Sequence, residues 1–130
     1  MPHLQFEINL KLNNSQRLKF IEFVKNKFSN IMKTGTAHIA ITIRELEVNS
    51  VSLGRANKGE LVCLMNLDIR KGRSKEQIKK LVKTYITGVN EHFGIKTSNQ
   101  YVTITAHSGE EFQLYEGGLK DYKTNDDPLG

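Results

Sequence analysis

The sequence has one cysteine, no tryptophan, two prolines in 130 residues, and no apolar run long enough to span a membrane. A lone Cys63 excludes a disulfide within one chain and a thiolate metal cluster; lying in an apolar run, it reads as a small buried hydrophobe. Without a hydrophobic span or a signal-peptide pattern, the chain is expected to be soluble and cytoplasmic, with no membrane partner. Its histidines, His3, His38, His92 and His107, lack metal-ligand spacing, so no metal is expected. The Ser108-Gly109 turn lacks the strand-to-helix context of a nucleophile elbow, which argues against a serine hydrolase. Lys75, Lys79, Lys80 and Lys83 make a basic helix face with no aromatic stacking motif beside it, so it reads as a solvated face and no nucleic acid is expected.

What is present describes one folded domain, with 38% hydrophobic and 25% charged residues and a net charge of +5, a balance that favours anionic partners. The first segment alternates strictly: Pro2, Leu4, Phe6, Ile8 and Leu10 on one face, His3, Gln5, Glu7 and Asn9 on the other, the period of a half-buried strand. A proline at the first residue of a strand sacrifices no ladder hydrogen bond, so Pro2 is explained by structure alone. A second reading concerns its nitrogen. Trimming of Met1, usual before a small residue, leaves Pro2 as a secondary amine somewhat more basic than an α-amino group near ~8. Nearby cations or an apolar wall would bring it towards neutrality, where it can serve as a base. A retained Met1 would make the same nitrogen an inert amide.

Asn14 or Ser15 is positioned to cap a helix whose apolar residues are Leu18, Ile21, Val24, Phe28 and Ile31, widened by Phe20 and Met32. The pattern breaks at 33–36, and Ile39, Ile41 and Ile43 alternate as a second strand. Residues 47–60 read as a loop with a short extended piece at 51–53. The run from Leu61 to Ile69 is so apolar that a central strand covered on both faces is expected. Ser74 and Gln77 have capping-box spacing, opening a helix with Ile78, Leu81, Val82, Tyr85, Ile86, Val89 and Phe93 inward and Gly94 as its left-handed cap. Tyr101 to His107 gives a fourth strand, and residues 119–130 read as a loose tail.

The two halves share one apolar layout. A shift of sixty-one positions lays Leu4, Phe6 and Ile8 on Met65, Leu67 and Ile69, and Phe20, Val24 and Phe28 on Leu81, Tyr85 and Val89. The expected fold is therefore α/β (α+β): two tandem β-α-β units, residues 2–46 and 61–107, in a domain spanning 1–118. They form a four-stranded mixed sheet with two helices on one face. The uncovered face, taken as apolar, is expected to pack against other subunits. Arg70-Lys71-Gly72-Arg73 leads into a helix N-terminus, where amides, dipole and arginine forks suit a carboxylate; a solvated basic turn is the other reading.

N-terminal Pro2, the duplicated β-α-β unit and Gly72-Arg73-Ser74 together resemble the tautomerase superfamily over residues 2–118. The likeness is to its long-subunit branches, which include cis-3-chloroacrylic acid dehalogenase, macrophage migration inhibitory factor and 5-carboxymethyl-2-hydroxymuconate isomerase. The dehalogenase pattern of two arginines separated by two residues falls on Arg70 and Arg73, and its Leu-Gly turn on Leu53-Gly54. The tyrosine of the inhibitory-factor pattern falls on Tyr101, and the isomerase's Met-Pro-His on Met1-Pro2-His3. The dehalogenase histidine late in the first helix meets Ser29 or Asn30, its fourth-strand tyrosine meets Thr103 or Ile104, and its water-activating glutamate reaches Glu116 only by sliding the alignment.

The resemblance implies a cofactor-independent isomerase, a homotrimer with sites between subunits, and a small carboxylate substrate of 2-hydroxydienoate or arylpyruvate type. Pro2 would be the acid/base once Met1 is removed, and Arg70 and Arg73 the carboxylate ligands, with Tyr101 supplied by a neighbouring subunit. Arg55 is either a further carboxylate contact or a loop charge. The alternatives are a hydratase or dehalogenase on an unsaturated three-carbon acid, with Glu116 directing water, and a non-catalytic binding or signalling module.

Overall fold

The computed structural model describes residues 2–118; Met1 and the expected loose tail at 119–130 lie outside the described residues. The main elements are β1 (His3–Ile8), α1 (Asn14–Met32), β2 (Ala40–Glu45), β3 (Cys63–Arg70), α2 (Lys75–Phe93) and β4 (Gln100–His107). A short hairpin of β5 (Gln113–Leu114) and β6 (Gly117–Gly118) follows. The sheet order is β2-β1-β3-β4, with β1 parallel to β2, β3 parallel to β4, and the two units joined antiparallel through β1 and β3. Each β-α-β unit is thus parallel within itself, and the pairing of first strands makes the sheet mixed.

Both helices begin on capping boxes, which satisfy amides that the first turn leaves without intrahelical partners. In α2 the box is the expected one: Gln77 N–H donates to Ser74 Oγ at 3.1 Å and Ser74 N–H to Gln77 Oε1 at 3.0 Å. Gly94 closes the helix at φ 71°, as its position suggested. In α1 the cap is Asn13, one residue before the expected Asn14 or Ser15, because only Asn13 has a glutamine three residues on to complete the reciprocal pair. The buried stripe of α1 is Phe20, Val24, Phe28, Ile31 and Met32, while Leu18 is 66% exposed. Leu18 lies about 200° around the helix from Phe20 and falls on the solvent side. The extended piece expected at 51–53 forms no strand; a single 3-10 turn, Val48–Ser50, precedes it.

The core lies between the helices and one face of the sheet. Leu4, Phe6 and Ile8 of β1 and Cys63, Met65, Leu67 and Ile69 of β3 are all buried there. Phe6 meets the rings of Phe20 at 4.9 Å and Tyr85 at 5.7 Å, edge to face, and the Tyr85 hydroxyl donates to the Val24 carbonyl at 2.9 Å. A buried phenol so satisfied ties α2 to α1 without an orphaned polar atom.

The opposite sheet face corrects one expectation. The strand starts at Cys63, so Leu61 and Val62 precede it, and within β3 the alternation sends Asn66 and Asp68 outward with Leu64. Cross-strand register adds Gln5, Glu7, Thr42, Arg44, Thr103 and Thr105 to the same side. The uncovered face is therefore largely polar, with Leu64 and Tyr101 paired at one end, and gives no support to an exposed apolar sheet surface.

Glu45, at the end of β2, locks the start of α1. Its Oε2 receives Arg17 Nε at 2.6 Å, and its Oε1 receives Arg17 Nη2 and the Leu12 amide, both at 2.9 Å. Arg17 first, with the Leu12 amide adding to it, holds this carboxyl at about 2. A carboxyl depressed in the folded state contributes stability that is fully present above its unfolded value, near ~4.3, and is lost as pH falls towards 2. Glu60, held at about 2 by Lys96, titrates in the same window. Urea midpoints at pH 7 and pH 3 should accordingly converge in Glu45→Gln relative to the parent, with the Glu60 share of the pH dependence remaining.

Candidate active site

Pro2 is buried at the N-terminal edge of β1, its carbonyl accepting the Ala40 amide at 3.0 Å. Because β3 runs antiparallel to β1, with His3 opposite Asp68, the C-terminal end of β3 arrives at this same edge. There Arg70 is 3% exposed and pairs across the ladder with His107, the last residue of β4. The chain then turns through Gly72, whose φ of 113° suits only glycine without strain, and delivers the half-buried Arg73 to the Ser74 cap of α2. Two guanidinium groups and a helix N-terminus therefore share one end of the sheet with Pro2. Such an assembly can hold an anion and place it beside a proton carrier.

The other expected residues are not at this edge. Tyr101 is the second residue of β4, opposite Leu64, six residues or about 20 Å along the strand from His107, and is 55% exposed. Arg55 is exposed in the β2–β3 connection, which leaves β2 beside Ile8 and re-enters β3 opposite Ile8, again at the far end. Glu116 is exposed at the tip of the β5–β6 hairpin, which follows β4 beyond His107. One chain thus places Pro2, Arg70 and Arg73 at one end of the sheet and Tyr101 and Arg55 at the other.

Four polar residues toward the Pro2 end of the sheet, His107, Asp68, Glu111 and His38, were given no role from sequence. His107 Nε2 is 3.4 Å from Asp68 Oδ1 and its Nδ1 is 3.6 Å from Glu111 Oε2, with Phe112 packed edge-on at 5.5 Å. Asp68 also accepts from Gln5 Nε2 at 3.5 Å. Glu111 is held below the usual carboxylate range, first by the Ser108 hydroxyl and then by the Ser108 amide. His38 lies in the turn before β2, half-buried, its Nδ1 enclosed and without a hydrogen bond. Only strand register brings these residues to the Pro2 end of the sheet. In the sequence they are scattered, and no spacing motif marks them.

Among the described residues no three His, Cys, Asp or Glu side chains converge as a metal site. Burial pushes the Cys63 thiol up to about 12, which leaves it protonated and unreactive near neutral pH. Two surface hollows lie on the helices, about 310 Å³ against Phe23 and Gly88 and about 610 Å³ against Val82 and Ile86. Both are rimmed by lysines and hold no nucleophile or base suited to neutral pH, so volume alone does not outweigh the chemistry gathered at Pro2. Among the described residues no helix is long and apolar enough to cross a membrane.

No family model matches the sequence, and neither does any curated protein. Solved structures do. A member of the cis-3-chloroacrylic acid dehalogenase family superposes with a TM-score of 0.78 at 16% identity, covering 92% of this chain and 84% of that one. A fused 4-OT, a wild-type symmetric trimer, gives 0.80 at 14% identity over 90% and 94% of the two chains. Macrophage migration inhibitory factor from Toxoplasma gondii gives 0.78 at 9% identity over 90% and 99%. At such identities the agreement concerns backbone architecture, and the doubled β-α-β unit, strand order and near-complete coverage lead to one statement: the chain has the fold of the tautomerase superfamily.

Proposed function

We infer that the protein is a cofactor-independent enol-keto tautomerase acting on a small carboxylate substrate of the 2-hydroxydienoate or arylpyruvate type. The observation that carries this reading is the placement of Pro2, Arg70 and Arg73 at one end of the sheet, where α2 begins. With Met1 removed, the Pro2 amine accepts the enol hydroxyl proton and returns a proton to carbon, so the enol becomes the ketone with no net proton change. Arg70 and Arg73 hold the substrate carboxylate and offset the negative charge that develops on oxygen. The chemistry calls for no cofactor, since the proton moves next to a carbonyl.

Tyr101 and Arg55, at the far end of each chain, fit sites completed by neighbouring subunits in a homotrimer, and Glu116 lies on a hairpin that extends beyond its own sheet. Support comes from the symmetric trimer among the similar structures. Light scattering at micromolar concentration is expected to give three chains; a monomer would contradict this assembly.

The similarity to a dehalogenase-family structure keeps a second reading, hydration or dehalogenation of an unsaturated three-carbon acid, with cationic Pro2 as acid and Glu116 directing water. The two differ in the working form of the amine. Across a panel of enol acids and haloacrylates, tautomerase activity should fall as Pro2 protonates at low pH, whereas hydratase activity should fall as it deprotonates at high pH. Absence of turnover on the whole panel would favour a binding module.

A further inference from the structure

The chain that leads into β2 runs alongside Pro2. Ala40 donates to the Pro2 carbonyl and pairs with His3, so continuing the parallel register puts Ile39 beside Pro2 and His38 one residue further. Paired strands lie ~4.8 Å apart, so the turn that leads through His38 into β2 lies at the same end of the sheet as Pro2. The turn that carries His38 is fixed by the Ile39 amide, which donates to the Thr36 carbonyl at 3.2 Å. The enclosed His38 Nδ1 has no hydrogen-bond partner. Buried polar atoms are rarely left so, because losing water without a replacement is costly. The other two histidines at this edge are already engaged, His3 with Thr42 at 2.9 Å and His107 with Asp68.

We propose that His38 is a positioning residue for the Pro2 amine, its Nδ1 accepting a hydrogen bond from the ammonium formed when Pro2 takes a proton from substrate. This rests on the reading of Pro2 as the proton carrier. A secondary ammonium has two N–H bonds. Committing one to His38 aims the other at the substrate carbon, and the tautomer required places the imidazole hydrogen on Nε2. The other charged or titratable groups at this end include His3 on β1, Asp68 and Arg70 on β3, Lys71 and Arg73 before α2, His107 on β4 with Glu111 after it, and Lys33 at the end of α1. All are retained when His38 alone is changed.

Proline labelled with ¹⁵N reports the amine directly, since the chain has two prolines. In His38→Ala the Pro2 nitrogen should titrate at least half a pH unit lower than in the parent, because the charged form has lost an acceptor. The same change should lower kcat roughly five- to tenfold with KM within about twofold, an effect on the chemical step rather than on binding. His38→Gln, whose side-chain oxygen replaces the acceptor, should move both values back towards the parent. If His38→Ala loses its fold by circular dichroism, His38→Leu against His38→Gln carries the same comparison. An unchanged Pro2 titration in a folded variant lacking the acceptor overturns the proposal. The titration needs no turnover: a shifted nitrogen with an inert Pro2 would refute the catalytic reading alone, while an unshifted nitrogen with an essential Pro2 would refute this contact alone.

Discussion

Arg73→Ala is expected to lower kcat/KM by about ten- to a hundred-and-fifty-fold, the equivalent of roughly 1.5 to 3 kcal/mol for one charged hydrogen-bonding partner. Most of the loss should appear as a higher KM, since the guanidinium would hold the carboxylate throughout the reaction. A parallel fall in kcat would show that the cation also opposes charge developing on the enolate oxygen. Arg73→Lys separates charge from shape. A lysine keeps the positive charge but not the two-pronged fork, so partial recovery is expected, short of the parent. Arg73 is half-buried at the turn into α2, whereas Arg70, 3% exposed within the sheet, would confound binding with folding to a greater degree. Steady-state kinetics on phenylenolpyruvate and 2-hydroxymuconate, with folding checked by circular dichroism, measure the effect.

Pro2→Ala should behave in the opposite sense, with kcat down by about 10²-fold and KM little changed. Alanine still offers a primary amine once Met1 is removed, so a base remains. Without the ring it is less firmly oriented, and the residual rate should reflect that. The expected loss is at the low end of what positioned acid-base groups contribute, roughly 10² to 10⁴. If Pro2→Ala and Arg73→Ala both keep parental kinetics on a substrate the parent turns over, these residues are structural and the site assignment fails.

The fold was legible in this sequence because its signals are periodic. Two-residue alternation in β1, the Ser74 and Gln77 pair, and the apolar layout repeated sixty-one positions apart each follow from local geometry, and each has its counterpart in the structure. Where the structure departs from the sequence pattern, a local signal competes with a tertiary one. Leu18 is apolar at helical spacing, yet the direction of the stripe is set by Phe20, which packs on Phe6 of β1 and Phe93 of α2. Leu61 and Val62 made β3 look apolar on both faces, although they belong to the approach and the strand itself alternates.

The site was legible only in part. Arg70 and Arg73 stand in a turn whose composition already suits an anion, and Pro2 draws notice through the segment it opens. His38, Asp68 and His107 carry no mark in the sequence: His38 is at the Pro2 end of the sheet because β2 pairs in parallel with β1, and Asp68 because β3 pairs antiparallel. The separation of Tyr101 and Arg55 from Pro2 likewise emerges only from strand direction.

Whether the nitrogen of Pro2 is the working group depends on the state of Met1. Intact mass distinguishes protein with Met1 removed from protein that retains it, and both preparations can be assayed for ketonisation of phenylenolpyruvate and 2-hydroxymuconate at one pH. Turnover is expected from the protein beginning at Pro2 and essentially none from the form whose Pro2 nitrogen is an amide. Equal turnover by the two preparations would contradict this, because an amide nitrogen cannot carry the proton.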